Sequence, residues 1–336
     1  MENYIFSSLT RISDLATKPF QVLKLNKKQW QNGDYVAVEV VSTGGGFEIE
    51  LASGRMILPF CQDVIIGALG VRHATLEATG SWRSVNPKHK MHMLTGAGIV
   101  GKLTSISSYL SELIGVKYLG HIQRDDDRVN MADFAMQVAP ASYHKPTILI
   151  VGTSMSAGKT TSAKIIIRLL KRMGLQVVGA KLTGAGRYKD ILSMRDAGAS
   201  DIFDFVDVGL PSSICGRQDF LQRLEHLLSA IERTITDVAV IEVGASPLEP
   251  YNGDVAYEQI RHQVRFTVLC ASDPYAALGV MEAFRIKPDL VTGIATNTWG
   301  GVELIKNLCK VPALNIINAK NWSLLQTKLQ DKFGTS

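Results

Sequence analysis

Small and hydroxyl-bearing residues surround one lysine in an arrangement suited to binding phosphate. Lys159 follows the run Gly152-Thr153-Ser154-Met155-Ser156-Ala157-Gly158 and precedes Thr160 and Thr161. Small residues allow consecutive backbone N–H groups to turn toward phosphate oxygens at the start of the following helix, and the lysine can reach the β- and γ-phosphates. A hydroxyl next to that lysine can bind Mg²⁺. The predicted nucleotide-binding residues are Gly152, Thr153, Ser154, Ser156, Ala157, Gly158, Lys159, Thr160 and Thr161, with Thr160 also a metal ligand.

The spacing departs from the strict phosphate-loop pattern GxxxxGK[ST], because five residues separate Gly152 from Gly158. The alternative is an ordinary strand–turn–helix with an exposed lysine. A second glycine-rich segment, Gly96–Leu103, does satisfy GxxxxGK. There Leu103 occupies the hydroxyl position, and Lys90–Thr95 makes a poor buried strand before it. We interpret the second segment as a glycine-rich turn, with a loop that packs against a bound ligand as the alternative.

Two charged residues follow apolar runs of the kind that form buried parallel strands. Glu242 follows Asp237–Ile241, and Lys181 follows Val177–Ala180. Open α/β sheets bind ligands at the carboxyl ends of their strands. We therefore predict Glu242 as a Mg²⁺ ligand and Lys181 as a cation that stabilises a transferring phosphoryl group, which makes Lys159, Lys181 and Glu242 the candidate catalytic residues. A structural salt bridge for Glu242 and an exposed lysine without a role are the alternatives.

Weaker candidates lie near the same strand ends. Asp190 and Asp196 compete for a second Mg²⁺ or substrate role, with a helical ion pair as the alternative. The loop Pro247–Asp254 follows the Glu242 strand. The polar residues of this loop either contact substrate or are plain loop residues. Separately, Asp273 is expected to cap a helix that starts at Pro274. The candidate substrate contacts are Gly184, Glu249, Tyr251, Asn252 and Asp254.

Residues 147–336 alternate apolar strands with amphipathic helices, which predicts an α/β domain whose mostly parallel sheet is covered by helices on both faces. Residues 1–140 contain short β-type runs between glycine turns, which predicts a smaller β-rich or α+β domain, with Ser105–Leu113 as a short helix. The domain boundary is placed at Pro140–Pro146. The expected strands are Tyr35–Val41, Phe47–Leu51, Arg55–Phe60, Asp63–Leu69, Ile148–Val151, Val177–Ala180, Val238–Glu242, Thr267–Ala271 and Val291–Asn297, and a helix is expected over Thr160–Met173.

Composition limits the class of protein. The 336 residues are 46% hydrophobic and 20% charged, which is typical of a globular chain and excludes a disordered or collagen-like one. No uncharged apolar run approaches the ~18 residues of a membrane span, and four scattered cysteines suit buried reduced thiols, so a cytoplasmic location is expected. The net charge of +5 is spread along the chain, and we expect a small-molecule partner with neither nucleic acid nor membrane.

The loop around Lys159 resembles that of dethiobiotin synthetase in length and at Gly152, Thr153, Gly158, Lys159 and Thr160. Three later segments are similar to that family in the same order. The resemblance implies that Lys181 lies close to the reacting phosphoryl group, that Glu242 binds Mg²⁺ and that Asn297 faces the nucleotide base. The three segments are Ala180–Gly186, Ile241–Ala245 and Thr296–Thr298.

This resemblance covers Thr147–Pro312 and points to the class of P-loop proteins that includes dethiobiotin synthetase, molybdopterin cofactor adaptors and amide ligases. The family's spacing after the lysine favours Asp196 over Asp190. The segment from Gly186 to Ala199 and the N-terminal domain resemble a different P-loop family, which includes a D-glutamate N-acetyltransferase. The roughly 140 upstream residues have no counterpart in dethiobiotin synthetases, so biotin synthesis is not implied.

We therefore expect an enzyme that uses ATP and Mg²⁺ to activate a small carboxylate or amino acid by phosphoryl transfer, of the kinase or ligase type, and that forms a homo-oligomer. Two alternatives stay open. One is a coenzyme-A-dependent N-acyltransferase acting on an amino acid, in which the loop holds coenzyme A phosphates. The other is a nucleotide-dependent switch or cofactor-assembly adaptor.

Overall fold

The computed structural model describes residues 4–86 and 90–334. The chain divides into two compact units. Unit 1 comprises the described residues up to Gln137 together with two later segments, Ala185–Lys189 and Phe205–Ile214. Unit 2 comprises Val138–Gly184, Asp190–Asp204 and the described residues from Cys215 onward. The junction at Gln137 lies close to the boundary expected at Pro140–Pro146, whereas the membership of two later segments in unit 1 was not expected.

Unit 1 is built around a β-sheet that closes on itself. Among the described residues, β6 pairs with β3, β3 with β11, β11 with β9, β9 with β10, and β10 again with β6. The ring encloses an apolar core that includes Trp30, Val38 and Met93. The strands of this unit are β1 (Tyr4–Phe6), β2 (Gln21–Leu23), β3 (Tyr35–Ser42), β4 (Ile49–Glu50), β5 (Met56–Ile57), β6 (Val64–Leu69), β7 (Val71–His73), β8 (Ala78–Ser81), β9 (Lys90–Met93), β10 (Ile99–Ile106), β11 (Gly115–Arg124) and β12 (Asp127–Arg128).

Two expectations for unit 1 can be compared with the structure. The helix expected over Ser105–Leu113 is wrong, because β10 runs to Ile106 and residues 107–114 are turn and loop. Serine side chains compete with helical backbone hydrogen bonds, and Ser107 Oγ accepts the N–H of Tyr109. The glycine-rich segment Gly96–Leu103 is a turn only in its first part, where Gly98 has a φ of +107°; β10 begins at Ile99, and Lys102 pairs with Ser81 inside the sheet. The segment before it does form a strand, Lys90–Met93, contrary to expectation.

A fully buried carboxylate stabilises unit 1. Glu50, at the end of β4, has no exposed surface. It accepts hydrogen bonds from the hydroxyl of Ser8 at 2.5 Å and from the backbone N–H groups of Tyr188 and Lys189, both at 2.8 Å. Those two N–H groups begin a helix and have no partner within it, so the carboxylate satisfies them. Glu50 thereby fixes the inserted segment Ala185–Lys189 within unit 1.

Unit 2 contains a parallel six-stranded sheet among the described residues, in the order β15-β14-β16-β13-β17-β18. The buried strands read as continuous apolar runs because helices cover both faces. The strands are β13 (Thr147–Gly152), β14 (Val177–Thr183), β15 (Asp201–Asp204), β16 (Val238–Val243), β17 (Val264–Cys270) and β18 (Leu290–Thr292). The helices are α1 (Lys159–Arg172), α2 (Tyr188–Asp196, which begins in unit 1), α3 (Arg217–Glu232), α4 (Gly253–Ile260), α5 (Pro274–Phe284), α6 (Trp299–Cys309) and α7 (Trp322–Phe333).

Most expected elements of unit 2 appear within a few residues of their predicted bounds. The strand expected over Val291–Asn297 is wrong in length: β18 stops at Thr292 because Gly293 turns the chain with a φ of +93°, and a 3-10 turn, Ile294–Thr296, follows. Asp273 caps α5 as expected, since its carboxylate accepts the N–H groups of Tyr275 and Ala276.

The cysteines were expected to be buried, and only two are. Cys270 and Cys309 lie in the interior, whereas Cys61 is exposed and Cys215 is half-buried. No helix that the structure describes is long and apolar enough to cross a membrane.

Candidate functional site

The Lys159 side chain folds back over the loop between β13 and α1, whose carbonyl oxygens it contacts. The Lys159 ammonium donates to the carbonyl oxygens of Ser154 at 2.6 Å and Met155 at 3.3 Å. Gly152 leaves room for this fold, because a Cβ at that position would lie 2.8 Å from Lys159 Cδ. The strand, the loop and the helix that begins at Lys159 form the phosphate-binding arrangement of a P-loop nucleoside-triphosphatase fold.

Neighbouring strand ends anchor the loop. The backbone N–H of Thr153 donates to the carbonyl oxygen of Cys270 at 3.0 Å, and the Thr153 hydroxyl accepts the N–H of Ser272 at 3.0 Å. Gly293 permits close approach on the same side, because a Cβ there would lie 2.3 Å from the Ala157 carbonyl oxygen. The loop residues are therefore fixed by the ends of β17 and β18, and their backbone is preorganised for a ligand.

Glu242 lies between the loop and the next strand end. One carboxylate oxygen, Oε2, accepts the hydroxyl of Thr160 at 3.0 Å, and the other, Oε1, lies 4.0 Å from the Lys181 ammonium. A Cβ on Gly244 would lie 3.4 Å from Glu242 Oε1 and 3.6 Å from Lys159 Cε. Gly244 therefore lies within contact distance of both the lysine and the carboxylate.

The Thr160 hydroxyl and the Glu242 carboxylate fit a Mg²⁺ ion. Magnesium in nucleotide sites binds one or two protein oxygens and takes its remaining ligands from phosphates and water. Within residues 4–86 and 90–334, no group of three or more His, Cys, Asp or Glu side chains could hold a metal ion. A metal at Thr160 and Glu242 would thus depend on a bound phosphate for its other ligands.

The two lysines have opposite electrostatic environments. Burial lowers the pKa of Lys159 from its usual 10.5, although the negative charge of Glu242 offsets part of this effect. Burial also opposes the charge of Lys181, but the Asp190 and Glu242 carboxylates outweigh it and raise the pKa of Lys181. The surroundings of Lys181 therefore favour its charged form, whereas Lys159 carries its charge at a cost that an anionic ligand would relieve.

Of the two competing aspartates, the structure brings Asp190 to the site. Asp190 lies in the first turn of α2, and its carboxylate accepts a hydrogen bond from the Lys181 ammonium at 2.5 Å. Asp196, which was expected to bind metal, is the exposed last residue of α2. The two aspartates lie six residues apart, about 1.7 helical turns, and of the two it is Asp190 that contacts Lys181.

The substrate candidates separate into accessible and structural residues. Gly184 has a φ of +131°, and a Cβ there would lie 3.1 Å from Lys181 Cε, so the glycine allows the backbone to lie closely against this buried lysine. Glu249 is half-buried, and its carboxylate accepts the N–H of Ser246 at 2.9 Å. Tyr251 is fully buried, which contradicts its expected contact with substrate. Asn252 donates its side-chain N–H to the Cys215 carbonyl oxygen at 3.2 Å, and Asp254 forms an exposed ion pair with Arg217.

The remaining predicted residues differ in their exposure. Ser156 and Thr161 are exposed, and Ala157 is buried under the turn at Gly293. Asn297 is exposed at the end of the 3-10 turn that follows β18.

Sequence reasoning missed Asp204. This aspartate ends β15, is 1% exposed, and adds a negative charge that helps to raise the pKa of Lys181. The signal was present as the short apolar pair Ile202-Phe203 before an acidic residue, but two residues are too few for a strand to be predicted from periodicity.

Comparisons with known proteins add little to this geometry. No family model matches the chain, and neither does any curated protein. The similar solved structures include chloroplast FtsY from Physcomitrella patens, which is 16% identical at a TM-score of 0.35 over 53% of this chain and 60% of that chain. HypB, a hydrogenase maturation factor, from Archaeoglobus fulgidus is 16% identical at a TM-score of 0.37 over 56% of this chain and 89% of that one.

HypB from Helicobacter pylori, in complex with nickel, is 14% identical at a TM-score of 0.35 over 56% of this chain and 86% of that one. The match to chloroplast FtsY spans less than two thirds of that protein's chain. TM-scores this low carry no argument about function. The P-loop fold of unit 2 rests on its own parallel strand order, on the loop between β13 and α1, and on Lys159 at the start of the helix.

Proposed function

We propose that the chain is an enzyme that uses ATP and Mg²⁺ to phosphorylate a small carboxylate. The observation that carries this proposal is the placement of Lys181 beside Glu242, whose other oxygen accepts the Thr160 hydroxyl. Binding a nucleotide requires only the loop and the metal ligands. A second buried, charged lysine beside them supports phosphoryl transfer, because it stabilises charge on the moving group.

Each residue of the cluster has a distinct role in this proposal. The backbone N–H groups of the loop and the Lys159 ammonium bind the β- and γ-phosphates. Thr160 and Glu242 would hold Mg²⁺, which neutralises phosphate charge when bound. Asp190 keeps Lys181 charged and oriented through the 2.5 Å hydrogen bond. Lys181 then attracts the equatorial oxygens of the phosphoryl group as their charge is redistributed.

The carboxylate substrate is taken from the resemblance to dethiobiotin synthetase. In the proposed step, a carboxylate oxygen attacks the γ-phosphorus, the bond to the β–γ bridging oxygen breaks, and ADP leaves with its electron pair. The products are an acyl phosphate and ADP, and a nitrogen nucleophile then displaces phosphate from the acyl carbon. Gly184 and Glu249 are the proposed neighbours of the substrate, since the former lies against Lys181 and the latter contributes charge near Lys159.

Hydroxylamine trapping tests this function without knowledge of the amine. The purified chain is incubated with MgATP, hydroxylamine and a panel of carboxylic acids and amino acids, and hydroxamate and ADP are measured together. The proposal expects equal amounts of hydroxamate and ADP with at least one acid, and neither product with Lys159→Ala. ADP formation without hydroxamate on any acid would support the switch or adaptor alternative.

Parallel reactions with acetyl-coenzyme A and the same amino acids test the acyltransferase alternative. Release of free thiol without ATP would contradict phosphoryl transfer and favour N-acylation. Lys102→Ala is the matched control. Lys102 is the lysine of the other glycine-rich segment, and it lies within β10.

A further inference from the structure

Lys181 has an acidic residue beside it on each neighbouring strand. In the register of the parallel sheet, Lys181 of β14 is paired with Asp204 of β15 on one side and with Glu242 of β16 on the other. Neighbouring strands lie ~4.8 Å apart, and residues paired in this way point to the same face of the sheet. The lysine is therefore flanked by two acidic residues whose backbone positions are fixed by the hydrogen bonds of the sheet.

The three carboxylates around Lys181 differ in what else they can meet. Glu242 accepts the Thr160 hydroxyl at 3.0 Å and is the proposed Mg²⁺ ligand. Asp190, in the first turn of α2, is half-buried and so remains partly open to solvent or to a ligand. Asp204, the last residue of β15, is 1% exposed. Of the three, Asp204 is therefore the one that burial shields from ligands.

The counter-charges of Lys181 would not all persist during a reaction. A Glu242 side chain that ligates Mg²⁺ shares its charge with the metal and stabilises the lysine less. A buried ammonium that loses a counter-charge is costly, and it is drawn toward another acceptor. Asp204 supplies negative charge that the metal does not take up, and this charge already helps to raise the pKa of Lys181.

We propose that Asp204 is the positioning residue that keeps Lys181 in place during phosphoryl transfer. This inference rests on the proposed function and adds to it a residue that touches neither nucleotide nor substrate. Asp204 holds the lysine from the strand on the other side of β14 from Glu242, so the ammonium stays aligned while charge moves on the phosphoryl group. The competing explanation is a buried ion pair that serves stability alone.

Single-turnover transfer with MgATP, hydroxylamine and the panel of acids described above measures this role. Asp204→Asn keeps the shape of the side chain and removes its charge. In metal sites, removal of a residue that orients a ligand costs roughly 10- to 100-fold, and we expect a rate lower by about that factor with little change in the Kd of MgATP. Because Asp204 acts through Lys181, adding Asp204→Asn to Lys181→Met should lower the rate no further.

Asp201→Asn is the matched control. Asp201 begins the same strand, where it pairs in register with Val178, three residues before Lys181. The substitution removes the same charge from the far end of β15. It should leave both the rate of transfer and the Kd of MgATP unchanged.

Melting temperatures of the same four variants test the pairing without any catalysis. Asp204→Asn should lower the melting temperature of the otherwise wild-type chain, because it leaves a buried ammonium with fewer counter-charges. In the Lys181→Met background the same substitution should raise the melting temperature, because there the carboxylate has lost its cation. This reversal of sign is expected only where the two charges interact.

Each result has a distinct meaning. A wild-type rate in a folded Asp204→Asn variant, a loss of MgATP affinity as large as the loss of rate, or losses that simply multiply in the double variant would overturn the inference and leave the proposed function standing. So would a double variant less stable than Lys181→Met, a comparison that remains decisive where Asp204→Asn does not fold by itself. Absence of phosphoryl transfer by the wild-type chain with every acid would overturn the proposed function and this inference together.

Discussion

Replacement of Lys181 by methionine is the perturbation that separates phosphoryl transfer from simple nucleotide binding. Methionine retains most of the length of the side chain and removes its charge. The ammonium lies 4.0 Å from Glu242 Oε1 and 2.5 Å from Asp190 Oδ2, so its position is fixed before substrate arrives. A preorganised cation contributes most where charge moves during the reaction.

The structure sets the magnitude. At 4.0 Å and an effective dielectric constant of about 20, two unit charges interact by about 4 kcal/mol. A phosphoryl oxygen at a similar distance would lose about that amount per unit charge. In enzymes generally, removing one preorganised contact of this kind costs about 3–4 kcal/mol, or ~10²–10³ in kcat. ATP affinity should fall far less, because Lys159 and the backbone N–H groups of the loop remain.

Single-turnover phosphoryl transfer and the Kd of MgATP are the two readouts. Lys181→Met leaves two carboxylates without their cation, so the melting temperature of each variant is measured as well. Asp190→Asn is the companion variant, because it keeps the lysine while removing one of its anchors, and it should lower kcat less than Lys181→Met does. Lys171→Met serves as the matched control, because it removes a half-buried lysine that donates to Gln176 Oε1 at 2.7 Å. Transfer at the wild-type rate in a folded Lys181→Met variant would refute the assigned role.

Three further predictions concern binding and stability. Lys159→Ala should abolish tight ATP binding measured by calorimetry, while Lys102→Ala should not; normal affinity in Lys159→Ala would contradict the site. Burial lowers the pKa of Lys159, and phosphates favour its charged form. ATP affinity should therefore fall as pH rises through that lowered pKa, before the usual value of 10.5 is reached. ATP affinity that stays constant to about pH 10 would contradict the assignment. Glu50→Ala removes the acceptor of three hydrogen bonds, one of them buried and two half-buried, and should lower the free energy of unfolding by about 3 kcal/mol in urea titrations. The exposed Glu48→Ala should change it little. Equal stability of the two variants would show that these hydrogen bonds contribute nothing.

The phosphate site was predictable because its signals are local. Buried parallel strands are continuous apolar runs, and the residues at their carboxyl ends must share one edge of the sheet. Glu242 and Lys181 could therefore be placed near Lys159 without coordinates. The same reasoning placed the Asp273 cap, since Asp followed by Pro at a helix start has a direct structural cause.

Other features depend on contacts that a linear sequence does not display. The closure of the ring of five strands in unit 1 and the capping of Tyr188 by Glu50 join residues far apart in the chain. The burial of Tyr251 could not be predicted from a Pro- and Gly-rich loop, which normally indicates an exposed segment. Family spacing favoured Asp196 over Asp190. In the structure, the first turn of α2 brings Asp190 to Lys181, whereas Asp196 lies at the other end of the helix.

Calorimetric titration of the full chain with MgATP, compared with ATP in the presence of a chelator, tests the central claim most directly. The claim is that Lys159, Thr160 and Glu242 form one magnesium-nucleotide site. The account predicts one molecule bound per chain and weaker binding once the metal is removed. In Glu242→Gln, which keeps the shape of the side chain and removes its charge, the metal should make little difference. Absence of nucleotide binding by the folded wild-type chain, or binding that is indifferent to both Mg²⁺ and Glu242→Gln, would contradict the account.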